Sequence, residues 1–217
     1  MKPPDGNSNI MRRTGAGDNP ALTGKILSRS FYARSPLEVA PELLGKVLCR
    51  VRRGAITSGK IVEVEAYLGS DDPASHAYRG MTPRNRAMFG PPGHAYVYFT
   101  YGNHFCMNVV TGDAGRASAV LIRALEPVDG IPVMKRRRGC HTVEDLTSGP
   151  GKLCQALGID RTLYGHDLSD RPLWIKDDGM TPPHHVTTTR VGISAGIDLP
   201  YRYLIPDSSC VSRGPKT

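Results

Sequence analysis

The chain has 217 residues, of which 39% are hydrophobic, enough to bury the core of one domain without metals or disulfides. Its 28 lysines and arginines against 20 acidic residues give a formal net charge of +8, which favours a polyanionic partner such as nucleic acid. No apolar run approaches the roughly 20 residues that cross a bilayer, and residues 1–24 lack a secretory signal's apolar core. We therefore expect a soluble, intracellular protein without a membrane partner.

The cysteines and histidines show no spacing typical of a metal site. Five cysteines form an odd set without a Cys-x-x-Cys pair, so neither a disulfide framework nor a zinc knuckle is predicted. The only adjacent histidines, His184 and His185, stand in a Pro- and Thr-rich segment without neighbouring acidic or cysteine ligands. We expect no metal and no cofactor.

Composition divides the chain into a tail and one domain. Residues 1–22 mix Pro, Gly, Asn, Asp and Arg with almost no apolar periodicity, which predicts a disordered basic tail. Residues 23–213 are expected to form the single domain, and residues 214–217 a short C-terminal tail.

The first predicted helix has a clear start and stop. Ser35 is a cap residue, Pro36 takes the first helical position, and Glu38 follows three residues after the cap. This capping box predicts a short helix that continues to Leu44 and ends at Gly45.

Two β-rich segments follow the helix. Residues 46–52 and 60–66 are rich in apolar and β-branched residues and predict antiparallel strands, separated by residues 54–59. Residues 95–110 predict a second strand pair that turns near Tyr101, and residues 117–125 a further strand.

Alternation within the second strand predicts which side chains face the core. Val62, Val64 and Ala66 would point into it, while Glu63 and Glu65 would share the opposite face. The two carboxylates then face a candidate site.

The last third of the chain is less regular. Residues 127–139 and 148–157 predict helices, and residues 165–189 predict a long surface connection because they are rich in Pro, Asp and Thr. Residues 190–193 and 204–211 predict the last strands. The whole indicates a mixed α/β (α+β) domain with a curved, largely antiparallel sheet, short helices around it, and a projecting β-hairpin.

Residues 59–108 carry the most informative pattern, because a candidate catalytic carboxylate, Glu65, stands among four tyrosines: Tyr67, Tyr96, Tyr98 and Tyr101. Aromatic side chains in such number predict a pocket for a flat ring. Glu63 lies two residues from Glu65, so a paired-carboxylate mechanism of a sugar glycosidase is an alternative.

Seven segments identify a family. They are Glu63–Tyr67, His76, Thr82–Arg86, Tyr96–Gly102, Phe105–Asn108, Leu121–Pro127 and Ser148–Leu157. In this order and spacing they resemble the alkyladenine (3-methylpurine) DNA glycosylase family, and the resemblance covers most of residues 30–213.

The resemblance implies hydrolysis of the N-glycosidic bond of alkylated or deaminated purines in double-stranded DNA, such as 3-methyladenine, hypoxanthine and ethenoadenine. It implies a monofunctional, cofactor-free enzyme of base-excision repair that leaves an abasic site. In this family Glu65 corresponds to the residue that activates water, and Arg123 to the residue that helps hold that water and a nearby phosphate. We expect a monomer located inside the cell, in the cytoplasm or nucleoid if the source is bacterial.

The same resemblance assigns roles to pocket and hairpin residues. Tyr67, His76 and Tyr98 match the walls that hold a flipped base, and Asn108 matches the residue that crowds the exocyclic amino group of guanine. Tyr101 matches the residue that wedges into the vacated base stack. The sequence departs from the family pattern at Asn103, where a more apolar residue is common.

Arginines and lysines supply candidate contacts to DNA phosphates, with Arg84, Arg86 and Lys152 as the leading ones. The others are Arg116, Lys135, Arg136, Arg137 and Arg138. A non-catalytic lesion- or nucleic-acid-binding protein on the same scaffold is the alternative from another class, although binding alone needs no carboxylate such as Glu65 beside a polyanion.

Overall fold

The structure is a computed structural model that describes residues 24–100, 102–181 and 183–212. The predicted tails at residues 1–22 and 214–217, and the predicted wedge residue Tyr101, lie outside the described residues. The described residues form a single α+β domain with a curled antiparallel sheet and a few short helices, which confirms the predicted fold class.

The described residues form nine strands and four α-helices. The strands are β1 (Lys25–Ile26), β2 (Val47–Arg52), β3 (Ala55–Tyr67), β4 (Ala95–Thr100), β5 (His104–Thr111), β6 (Ser118–Asp129), β7 (Leu173–Asp177), β8 (Val186–Thr188) and β9 (Arg202–Leu204). The helices are α1 (Arg29–Tyr32), α2 (Pro36–Leu43), α3 (Ile131–Arg138) and α4 (Pro150–Leu157). Within the described part of the chain no helix is long and apolar enough to cross a membrane.

The sheet runs in the order β1-β7-β2-β3-β6-β5-β4, and every pairing in it is antiparallel. The long strand β3 organises it. One edge of β3 pairs with β6, while the other edge pairs first with β2 and then, at residues 63–65, with β9. The change of partner along this edge falls where the register of β3 with β6 shifts around Glu63.

Helix α2 confirms the predicted capping box. The Ser35 hydroxyl accepts a hydrogen bond from the Leu37 N–H, and the Ser35 N–H donates to the Glu38 carboxylate at 3.2 Å. Gly45 follows the helix with a φ of +82°, a conformation that glycine adopts without strain.

The turn between β2 and β3 is shorter than predicted. Residues 55–59 pair with residues 48–52 instead of forming a loop, so the proposed separator at residues 54–59 is wrong. Arg53 and Gly54 alone make the turn, with φ values of +51° and +75°. Positive φ at both central residues gives a turn whose twist matches that of the flanking strands.

Strict alternation along β3 is also wrong, because the register shifts on both sides of Glu63. Val64 and Ala66 face the main core, but Val62 packs with Ala124 and Cys210 in a separate cluster. A bulge places one extra residue in a strand and re-aims the side chains around it. Here the bulge lets both Glu63 and Glu65 contact Arg123.

The hairpin of β4 and β5 confirms the strand pair predicted at residues 95–110. Its register runs from Ala95 opposite Val109 to Thr100 opposite His104. The tip includes the exposed residues Gly102 and Asn103.

The C-terminal third departs most from expectation. Residues 165–189 are not only a surface connection, because β7 lies between β1 and β2 with Leu173, Trp174 and Ile175 buried. A strand covered on both faces carries no alternation that sequence could reveal. Residues 190–193 form no strand, and of residues 204–211 only Leu204 belongs to one.

The two later helices were predicted in the right places, and only α3 starts later than expected. Residues 127–129 still belong to β6, so α3 begins only at Ile131. Helix α4 begins at Pro150 after the cap Gly149 and ends at Leu157, and its C-terminal cap Gly158 has a φ of +69°. Its buried side chains Leu153 and Leu157 join the main core beneath the sheet.

Candidate active site

A single row of paired residues crosses four strands and carries the site. Glu65 on β3 is opposite Leu121 on β6, Leu121 is opposite Asn108 on β5, and Asn108 is opposite Tyr96 on β4. Directly opposed residues of antiparallel strands have neighbouring side chains. Sheet register therefore gathers residues from four distant parts of the sequence.

Glu65 is fully buried, and its carboxylate accepts three contacts. The Tyr67 hydroxyl donates to Oε2 at 2.9 Å, and Nη1 of Arg123 lies 3.3 Å from the same oxygen. The Val191 N–H donates to Oε1 at 2.7 Å. Hydrogen bonds to an ionised carboxylate are among the stronger ones, so these donors hold it in one orientation.

Glu63 fixes the guanidinium of Arg123 by a hydrogen bond. Its Nε donates to Glu63 Oε1 at 2.9 Å, and its Nη2 donates to the Ser212 hydroxyl at 3.2 Å. Burial lowers the pKa of Arg123, but the charges of Glu65 and Glu63 raise it further than burial lowers it, so the guanidinium remains charged.

Glu63 is fully buried and occupied by structural partners. Besides Arg123, it accepts hydrogen bonds from Arg202 and from both the hydroxyl and the N–H of Ser212. A paired-carboxylate sugar glycosidase needs both acids to reach the scissile bond. Because four donors already occupy the Glu63 carboxylate, it is not free to act as the second acid of a sugar glycosidase.

A cavity of about 400 Å³ is lined by Tyr67, Arg123 and Val191, the three residues that contact the Glu65 carboxylate, while Glu65 itself lies buried behind them. Tyr67, His76, Tyr98, Asn108 and Arg123 all line it, so the structure brings the predicted pocket residues together with the predicted arginine. The remaining wall residues include Met88, Tyr96, Thr100, Cys106, Leu121, Pro150 and residues 191–194.

Aromatic contacts stiffen one wall. The His76 ring meets the Tyr98 ring edge-on at a centroid distance of 4.5 Å, and its Nδ1 lies 2.9 Å from the Tyr96 hydroxyl. Burial, and then the charge of Arg84, lower the pKa of His76, so the imidazole is neutral at pH 7. Burial raises the pKa of Tyr98, which keeps its proton.

Asn108 is buried, with one hydrogen bond fixing its amide: Nδ2 donates to the Tyr96 carbonyl at 3.2 Å. The side chain both lines the cavity and bonds within the hairpin.

The predicted phosphate contacts lie in different settings. Arg84 is exposed, and its guanidinium sits 5.5 Å from the centroid of the Tyr98 ring, next to the cavity. Arg86 is exposed as well. Lys152 instead contacts Ser148 at 3.0 Å and Asp145 at 3.4 Å, so its ammonium is partly neutralised.

Three residues close to Glu65 were missed. Val191 supplies a backbone donor, and a backbone group leaves no mark in residue type. Arg190 and Asp72 form a buried ion pair behind Tyr67 across 118 positions, a separation that no local pattern reports. Within the described residues no group of three or more His, Cys, Asp or Glu could hold a metal ion.

The chain is basic, and its aromatic-lined cavity is bordered by the contacts of a buried carboxylate, an arrangement that suits an enzyme acting on a base of a nucleic acid. The model of the methylpurine-DNA glycosylase (MPG) family matches residues 30–209. The chain belongs to this family, and it is a DNA N-glycosylase, a hydrolase whose substrate is DNA.

Relatives from bacteria and archaea cover most of the chain. A protein of Carboxydothermus hydrogenoformans is 56% identical over 87% of this chain and 99% of its own length. A protein of Chlorobaculum parvum is 50% identical over 87% and 91%, and one of Methanoculleus marisnigri is 52% identical over 86% and 98%. Each is named "Putative 3-methyladenine DNA glycosylase".

Proposed function

We propose that the protein flips an alkylated or deaminated purine out of duplex DNA and hydrolyses its N-glycosidic bond with a water activated by Glu65, leaving an abasic site. Its lesions are those of the 3-methyladenine, hypoxanthine and ethenoadenine class. The observation that carries the proposal is the buried Glu65 carboxylate beside an aromatic cavity. The relatives' names support 3-methyladenine as one of the lesions.

The cavity suits a flipped base. A base in a duplex is inaccessible until its nucleotide swings out, and stacking on aromatic side chains returns roughly 1 to 3 kcal/mol per base. Tyr67, His76 and Tyr98 offer such surfaces, and the cavity that they line has a volume of about 400 Å³. A neutral His76 also offers a hydrogen bond to the purine edge without adding charge.

Glu65 retains capacity for a water molecule. An ionised carboxylate accepts about four hydrogen bonds. Among the described residues, Oε2 receives Tyr67 and Arg123, whereas Oε1 receives only the Val191 N–H. A water that donates to Oε1 would be oriented toward the sugar, and the carboxylate charge would stabilise the cationic sugar that forms as the base departs.

Arg123 has a complementary role. Its contacts to Glu63, Ser212 and Glu65 occupy three positions of a guanidinium that carries five N–H donors. The remaining donors, in a side chain that lines the cavity, can hold the water and the lesion's phosphate. Glu63 fixes the plane of this guanidinium and takes no direct part in the chemistry.

The hairpin supports the wedge role of Tyr101. Strands β4 and β5 are paired up to Thr100 and His104, and the rings of Phe99 and Phe105 pack at 5.0 Å. A stiff hairpin can press a side chain into a base stack without bending away. Asn103 at this tip is exposed and polar, so we assign the wedge to Tyr101.

Arginines beside the hairpin are suited to DNA phosphates. A second cavity of about 600 Å³ is lined by Asn103 and His104 of the hairpin and by Arg52, Arg53 and Arg137. Burial, and then the charges of Arg52 and other neighbouring arginines, lower the pKa of Arg137, which reflects crowded positive charge. We assign phosphate contacts to these arginines together with Arg84 and Arg86, and give Lys152 a smaller part.

We also propose the domain bounds, the oligomeric state and the location in which the protein acts. Residues 23–213 constitute the catalytic domain, which acts as a monomer on double-stranded DNA that contains damaged purines. It works inside the cell, where its DNA substrate is, in the cytoplasm or nucleoid of a bacterial source.

A release assay tests this function. Duplexes with one 3-methyladenine, hypoxanthine or ethenoadenine are incubated with the protein, and free base and abasic sites are measured in parallel. Equal amounts of both are expected from lesion duplexes, with Glu65→Gln as the inactive control. Lesion binding without release would show a binding protein instead.

A further inference from the structure

The ion pair of Asp72 and Arg190 is fully buried at the side-chain level. Arg190 Nη2 donates to Asp72 Oδ1 at 2.8 Å, Nη1 donates to Oδ2, and Nη1 also donates to the Ala66 carbonyl at 3.0 Å. Buried ion pairs add little net stability, because desolvation offsets the attraction. Their presence beside a reactive carboxylate calls for another explanation.

Arg190 is adjacent to two of the residues that donate hydrogen bonds to Glu65, Tyr67 and Val191. Its guanidinium lies 4.7 Å from the centroid of the Tyr67 ring, whose hydroxyl donates to Glu65. The residue after it is Val191, whose N–H donates to the other carboxylate oxygen. The centroid of the Tyr201 ring lies 5.3 Å from the same guanidinium.

Asp72 connects the same pair to the cavity rim. Its Oδ2 accepts the Leu68 N–H at 3.2 Å, and its Oδ1 accepts the Ala74 N–H at 3.1 Å. Ala74 lines the cavity. The carboxylate thus anchors the loop that follows β3, and the guanidinium anchors the segment that carries Val191.

We propose that the Asp72–Arg190 pair is a positioning device for Glu65: it fixes the Tyr67 ring and the Val191 N–H so that both hold the carboxylate in its reactive orientation. This inference rests on the proposed function, in which Glu65 activates the water. The flat guanidinium matters, because it stacks on a ring and bonds a carboxylate with two parallel donors, which an ammonium cannot do.

Arg190→Lys tests the pair while keeping a positive charge beside Asp72. We expect single-turnover base release at saturating DNA to fall about ten- to a hundredfold, since misplacement near 1 Å costs rate on that order. The dissociation constant for lesion duplex should change little, and the Tm is measured to confirm that the variant is folded at the assay temperature. Arg34→Lys is the matched control, because Arg34 binds Glu42 with the same two-pronged geometry away from the cavity.

A second variant keeps the inference testable if Arg190→Lys does not fold. Asp72→Asn combined with Arg190→Gln removes both charges, so no lone ion is left buried. The same loss of single-turnover rate with retained lesion binding is expected. A coupling measurement with Tyr67→Phe adds a readout that stability alone would not move: the rate losses of Arg190→Lys and Tyr67→Phe should combine to less than their product.

The outcomes separate this inference from the function beneath it. If the parent protein releases no base, the proposed function fails. If the parent is active and a folded Arg190 variant releases base within twofold of it, or loses only binding, the positioning role is wrong. A rate loss that Arg34→Lys reproduces would also overturn it.

Discussion

The hydroxyl of Tyr67 donates a 2.9 Å hydrogen bond to the carboxylate of Glu65, two residues earlier on the same strand. Residues two apart on a strand share a face, so the cavity wall and the carboxylate are held as one unit. Burial, and then the charge of Glu65, raise the pKa of Tyr67, so the phenol keeps its proton and acts as a donor.

Tyr67→Phe should slow base release and leave lesion binding nearly unchanged. The ring remains for stacking, while a hydrogen bond to a charged group, worth about 1.5 to 3 kcal/mol, is lost. We expect a roughly tenfold or larger fall in single-turnover rate. Tyr78→Phe, at a tyrosine that is 48% exposed, is the control. A parental rate in Tyr67→Phe would show that this bond does not serve the chemistry.

Glu65→Gln should bind lesion duplex nearly as the parent does but release no base. The amide keeps the shape of the side chain and loses the charge and basicity that activate water. Single-turnover rates measure the effect, and Glu42→Gln at an exposed glutamate serves as control. Release within a few-fold of the parent would exclude Glu65 as the catalyst.

Tyr101→Ala should weaken capture of the flipped base in duplex DNA more than activity on single strands. Without a side chain in the vacated stack, the extruded nucleotide returns more readily. Rates on matched duplex and single-stranded lesion substrates make the comparison. Equal losses on both would assign Tyr101 a packing role.

Asn108→Ala or Asn108→Ser should raise excision of undamaged guanine relative to hypoxanthine. The two bases differ by one exocyclic amino group, and the buried Asn108 amide, which donates to the Tyr96 carbonyl, lines the cavity where that group would have to fit. Free guanine released from normal and mismatched duplexes is the measurement. An unchanged guanine-to-hypoxanthine ratio in a folded variant would remove Asn108 from discrimination.

Base release should survive a chelator and leave no protein–DNA cross-link after borohydride treatment. Water is the proposed nucleophile, so no imine forms between protein and sugar. Activity with and without chelator, and a gel of the borohydride-treated reaction, test both points. A trapped covalent product or activity loss in chelator would contradict the mechanism.

Sequence alone determined the features that depend on neighbours along the chain. The capping box of Ser35 and Glu38 was predictable because its partners are three residues apart. The β4–β5 hairpin was predictable from strand-forming residues on both sides of a glycine turn. The family resemblance, carried by ordered motifs such as Glu63–Tyr67, identified the pocket residues that the structure brings around one cavity.

Tertiary structure decided what depends on distant partners. Strand β7 was not predicted, because burial on both faces erases alternation, and the shift at Val62 was invisible because a bulge depends on the register with β6. The pairing of Asp72 with Arg190 and the donation from the Val191 backbone were equally hidden. Long-range pairing and backbone hydrogen bonds are set by how strands align in space, and residue type at one position carries no record of that alignment.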